Sequence, residues 1–198
     1  MLPRILIIIA IAFAVGGLVA LTSHTGGIPS ATQSGRALIG GPFTLTNQKG
    51  ERVTDDTFRG KYMLVSFGYT SCPDVCPAEL QLMANAMDLL GAKAEKVTPI
   101  FVTIDPERDT VAQMAGYVEN FHPRMVGLTG TPEAIKEAAG AYRVYYARSE
   151  GASTASGYLM DHSTFLYLMD PQGQYVTHFP YGITREKLAD AIAKAIGG

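Results

Sequence analysis

The sequence predicts a mixed α/β domain behind an apolar N-terminal segment, and three observations carry that prediction. Two near-continuous apolar runs, KYMLVSFGY (61–69) and VTPIFVTI (97–104), have the Val, Ile, Phe and Tyr content of strands buried on both faces. Between them, PAELQLMANAMDLLGAKA (77–94) sets Leu80, Met83, Ala84, Met87 and Leu90 at helical spacing. Two hairpin signatures, one near each end of the domain, add the remaining strands. The expected order is therefore hairpin, β-α-β, α-β, α, hairpin, α.

Residues 1–22 read as a single transmembrane anchor. Ile5 to Leu21 carries no charge, close to the ~20 residues a bilayer core requires. A cleaved signal peptide is the competing reading, but the run exceeds the usual apolar region and Leu18-Val19-Ala20 puts a large residue where cleavage needs a small one. Arg4 and the terminal amine are the nearby cations, so the N-terminus is expected in the cytoplasm. A bacterial inner membrane with a periplasmic domain follows. Residues 23–36, rich in Gly, Ser, Thr and Pro, read as a flexible tether, and the folded domain is expected over 37–198.

Within that domain, GPFTLTNQKGERVT reads as a hairpin turning at Asn47 to Gly50. The long helix has Pro77 in its first turn and Gly91 near its end. A second helix is expected over Thr110 to Phe121, capped by Asp109 or Thr110, before a short strand at Met125 to Leu128. Thr131, Pro132 and Glu133 announce a third helix. Ser149 to Gly157, polar and Gly/Ser-rich, is expected as an exposed loop. STFLYLMD, Pro171-Gln172-Gly173 and QYVTHFP form a closing hairpin, and an amphipathic helix begins near Thr184.

The charge balance, 16 basic against 18 acidic residues for a net −2, offers no basic stripe, so nucleic acid is not an expected partner. The chemistry concentrates instead in the two cysteines, Cys72 and Cys76 of GYTSCPDVCPAEL. They lie between a buried strand and a helix N-terminus, at the sheet edge where open α/β domains place their sites. Amide donors and the helix dipole there favour thiolate over thiol. Their spacing exceeds the C-x-x-C of thioredoxin-like enzymes by one residue. Two thiolates sharing a tetrahedral ion at about 2.3 Å stand roughly 3.7 Å apart, which residues four apart on one helical face can meet. A reversible disulfide remains open, since its Cα separation tolerates ~4.4 to 6.8 Å.

Of the four histidines, His24 falls in the tether, His122 reads as solvated or structural, and His178 as a surface or packed residue. His162 differs, because it is expected at the start of a core strand after the long loop, where it can lean toward the cysteines. Pattern alone leaves it balanced between ligand and packed residue. Two soft thiolates and one imidazole suit copper better than structural zinc, which usually closes a four-coordinate site. Met83 and Met87 read as core filler, and Met160 as packing with some claim on the site. Asp105 reads as a turn residue and Asp74 as a cap or a solvated group.

Three motifs together, Gly68 to Pro77, Val102 to Thr110 and Asp161-His162-Ser163, resemble the Sco/SenC family across the whole of 37–198. That resemblance implies a thioredoxin-like fold and copper, Cu(I) or Cu(II), held by Cys72, Cys76 and His162. It further implies a metallochaperone that helps assemble the binuclear copper centre of cytochrome c oxidase. Its partners would be the copper-bearing oxidase subunit and other periplasmic copper or thiol carriers. The alternative is a thiol-disulfide oxidoreductase using Cys72 and Cys76 as a redox pair. A thiol peroxidase is a weaker reading, because Tyr69 stands where a peroxiredoxin has Thr or Ser.

Overall fold

A computed structural model describes residues 38–154 and 157–197. The anchor and tether expected over 1–36 lie outside the described residues. Among the described residues no helix is long and apolar enough to cross a membrane.

The first hairpin pairs β1 (Thr44–Asn47) with β2 (Arg52–Thr54). Its turn is held by the Asn47 side chain, whose Oδ1 accepts the amides of Lys49 and Glu51, while Gly50 adopts φ +81°. β3 (Tyr62–Gly68) and β4 (Val97–Thr103) run parallel in full register from Tyr62↔Val97 to Gly68↔Thr103. They are joined by α1 (Val75–Leu90) and a 3-10 turn at Gly91–Lys96. α2 (Val111–Val118) is capped by the Thr110 hydroxyl and stops three residues short of the expected end. β5 (Val126–Thr129) and α3 (Pro132–Ala141) follow, the latter with Thr131 as cap and Pro132 at its start. β8 (Phe165–Met169), β9 (Tyr175–Pro180) and α4 (Arg185–Gly197) close the chain as expected.

The main sheet orders its seven strands β2-β1-β5-β4-β3-β8-β9. Both its faces are buried, and strand alternation divides the core between them. Met63, Val65 and Phe67 of β3, with Ile100 and Val102 of β4, pack against Ile135 and Ala138 of α3. Leu64 and Phe101 point the other way, against Leu80, Met83 and Met87 of α1, Met114 of α2, and Leu188 and Ile192 of α4. Met83 and Met87 are core filler, as their spacing indicates.

Ser149 to Gly157 departs from expectation. Its described residues, 149–154 and Gly157, belong to a hairpin of their own, β6 (Tyr146–Thr154) with β7 (Gly157–His162), which forms a separate two-stranded sheet. Its register shifts between Arg148 and Ser153, a β-bulge or irregularity of the ladder. Composition argued for a loop because the forces that extend this hairpin come from elsewhere in the chain, as the site makes plain.

Candidate metal centre

Strand β3 must end at a glycine for the site to exist. A Cβ at Gly68 would lie 2.7 Å from Cys76 Sγ and 2.9 Å from Phe101 Cε2, so the sulfur occupies space that only glycine leaves. From there the chain turns, with the Cys72 amide donating to the Tyr69 carbonyl at 3.2 Å. Cys72 Sγ in turn accepts the Cys76 amide at 3.4 Å. Asp74 occupies the cap position of α1 yet makes no side-chain cap bond and is exposed, so the Cys72 sulfur does the work a capping oxygen usually does. The two cysteines therefore do not share a helical face as their spacing implied. Cys76 is the second residue of α1, and Cys72 lies ahead of the helix.

The turn is fixed from beneath by Asp109. Its carboxylate accepts the Thr70 amide at 2.9 Å, the Thr70 hydroxyl at 2.6 Å and the Thr103 hydroxyl at 2.6 Å. Asp109 is fully buried; burial raises its pKa and these bonds oppose the rise. Of the two caps the sequence offers for α2, Asp109 and Thr110, it is Thr110 that takes the part.

His162 arrives from the second sheet. It is the last residue of β7, paired with Tyr146, rather than the first part of the core strand, which begins at Phe165. A polar clamp docks this hairpin on the loop after β4. The Tyr158 hydroxyl donates to Asp105 Oδ1 at 2.7 Å, and Arg108 donates to the Tyr158 carbonyl at 2.8 Å while pairing with Asp105. The guanidinium carbons of Arg108 and Arg148 lie 3.8 and 4.1 Å from the Tyr158 ring centroid. The Met160 amide completes the attachment by donating to the Tyr69 hydroxyl at 3.2 Å. Asp105 is thus a docking group beside the site as well as a turn residue.

The result brings His162 Nε2 to 3.4 Å from Cys76 Sγ, 86 residues apart in sequence. The two sulfurs and this imidazole offer donor atoms that all lie within 4.8 Å of one another. His162 Nδ1 donates to the Ser163 carbonyl at 2.9 Å, which leaves Nε2 facing the sulfurs, where losing its proton would free a lone pair for a metal ion. The Tyr69 ring meets the imidazole edge-on, centroids 6.1 Å apart.

Electrostatically the cysteines are unlike. Hydrogen bonding from Cys76, against the pull of burial, holds the Cys72 thiol well below its ordinary pKa, with further support from His162 and the amides of Cys76 and Asp74. Cys76 moves the other way, because it shares its proton with the Cys72 sulfur and is buried. The pair therefore rests as one thiolate and one thiol. Burial disfavours the charged form of His162, but the Cys72 thiolate and the Ser163 carbonyl outweigh it and leave its pKa raised. One turn beyond Cys76, Glu79 is buried, accepts a hydrogen bond from Ser66 and has its pKa raised by burial.

The other described histidines stay away from the sulfurs. His122 Nδ1 accepts the Arg124 amide at 3.1 Å, a structural role, and exposed His178 meets the Tyr175 hydroxyl at 2.5 Å. His24 lies outside the described residues. Glycine at 68 and aspartate at 109 were the supporting residues that pattern did not reveal, since each acts through a contact distant in sequence.

A dithiol at the turn between a buried strand and a helix, with an imidazole laid over it, defines a thioredoxin-like protein whose donors suit a soft metal ion such as copper. The SCO1/SenC family profile matches residues 31–197, and the chain belongs to that family. It is 43% identical over 170 residues to the mitochondrial SCO1 homolog 1 of Arabidopsis thaliana, covering 85% of this chain and 50% of that protein. It is 37% identical over 194 residues to a SCO2-like protein of Rickettsia prowazekii, covering 96% and 95%. The crystal structure of Arabidopsis thaliana ScoI with copper bound matches with a TM-score of 0.76 and 44% identity, over 80% of this chain and 98% of that one. The chain thus spans about half the length of the plant relative and nearly all of the rickettsial one.

Proposed function

We propose that this protein is a copper metallochaperone. Cys72, Cys76 and His162 bind one copper ion, as Cu(I) or Cu(II), and the protein delivers it toward the binuclear centre of cytochrome c oxidase. The observation that carries this reading is the convergence of two sulfurs and one imidazole nitrogen within 4.8 Å, in a family whose plant member has been crystallised with copper. Both sulfurs must be thiolates to bind the ion, so copper displaces the Cys76 proton while Cys72 is already ionised. The apolar run at Ile5 to Leu21 supports an inner-membrane anchor with the domain in the periplasm. A tether then keeps the domain at high effective concentration near a membrane-embedded client, the copper-bearing oxidase subunit.

Copper titration of the full-length chain beside His162→Ala tests the site. The variant should bind copper more weakly and with an altered spectrum; identical titrations would remove His162 from the ligands. Loss of oxidase activity in cells lacking the gene, restored by added copper, tests the delivery role.

The unlike cysteines favour a second reading, a thiol-disulfide oxidoreductase acting on the oxidase copper-site cysteines or other periplasmic clients. Thiolate Cys72 is half-exposed and able to attack a client disulfide, and buried Cys76 is placed to resolve the mixed disulfide. His162 discriminates between the readings, because disulfide exchange has little need of it.

A further inference from the structure

We propose that the thioether of Met160 is an additional soft donor of this site, serving the copper when it is held as Cu(I). The proposal rests on the copper-binding reading above.

Met160 and His162 lie two residues apart on β7 and therefore share a strand face, opposite Arg148 and Tyr146 of β6. That face packs on the cluster containing Cys76 and Tyr69, which Cys72 also borders. Position is fixed at the backbone, where the Met160 amide donates to the Tyr69 hydroxyl, and the same Tyr69 ring meets His162 edge-on. One side chain thus contacts both residues, His162 lying against the Cys76 sulfur and Met160 on the wall of the adjoining cleft. Beside them opens a cleft of about 320 Å³ lined by Cys72, Met160 and His162.

Met160 is set apart from the other described methionines. Met63, Met83, Met87, Met114, Met125 and Met169 are 2% exposed or less, whereas Met160 is half-buried at the cleft wall. The other metal-binding side chains on this cleft, Asp74 and Asp161, are exposed carboxylates, hard donors poorly matched to Cu(I). A thioether is neutral and soft, so it joins Cu(I) without releasing a proton or moving an electron. Three donors from Cys72, Cys76 and His162 leave copper able to accept it.

The test uses the full-length chain in detergent, labelled with selenomethionine and loaded with Cu(I), read by X-ray absorption at the copper edge. A copper-selenium shell is expected in the labelled protein and should vanish in Met160→Leu, which nearly conserves volume. Chelator competition should show Cu(I) affinity falling about tenfold in that variant, with Cu(II) affinity unchanged. A copper site with sulfur and nitrogen shells but no selenium would overturn the proposal and leave the three-ligand reading standing. Failure of the wild-type chain to retain copper would instead remove that reading and this one together.

Discussion

At the scale of single residues, Cys72 and Cys76 have different chemistry although the sequence presents them as a matched pair. Cys72 Sγ stands at a helix start and accepts an amide, whereas Cys76 is 2% exposed behind Gly68. In the metal-free protein, iodoacetamide should label Cys72 at a rate nearly constant between about pH 6 and 8. An ordinary thiol would slow roughly tenfold per unit over that range. Since its pKa is lowered, Cys72 is already thiolate across that range and mild acid protonates little of it; an ordinary slope would refute the assignment. Gly68→Ala should cost about 1–3 kcal/mol by overpacking and weaken copper binding by displacing the Cys76 sulfur, read by urea unfolding and metal titration. Asp109→Ala should cost about 3 kcal/mol, because the Thr70 amide and the Thr103 hydroxyl would lose a buried acceptor. An effect under about 0.5 kcal/mol on urea unfolding would show that water replaces the carboxylate without loss.

At the scale of elements, the sequence was legible where local pattern decides structure. The apolar runs of β3 and β4, the Thr131-Pro132-Glu133 start of α3 and the Asn47 turn were each readable because their causes lie within a few residues. The cysteines were legible as a site for the same reason. The β6-β7 hairpin was not, since its Gly/Ser-rich composition argues for a loop and its anchors, Asp105 and Arg108, are about fifty residues away. For that reason local pattern marks His162 as a candidate without revealing the hairpin that carries it to the sulfurs. Tyr158 joins this hairpin to the loop after β4. Tyr158→Phe should keep the stacking on Arg108 and Arg148 and reduce copper affinity modestly, while Tyr158→Ala should lose the clamp and reduce it far more. Amide exchange along β7 should accelerate in the same order. Equal effects of the two variants would show that the hydroxyl alone holds the hairpin.

At the scale of the whole molecule, residues 37–198 form a unit with cores on both faces of one sheet. A chain beginning at Ala37 should therefore fold cooperatively and bind copper with unchanged stoichiometry, as circular dichroism and titration would read. Copper should raise its melting temperature, and His162→Ala should lose part of that gain. An unchanged melting temperature at saturating copper would argue that the ion binds the unfolded chain equally well. The donors come from two separate sheets, sulfurs beside the large one and imidazole on the small one. A bound ion would accordingly act as a rivet, and linkage makes its grip reciprocal: whatever steadies the small sheet tightens the metal, and whatever pries that sheet loose weakens it by the same factor. A ligand that drew Tyr158 away from Asp105 and Arg108 would thus release a bound ion without first touching it.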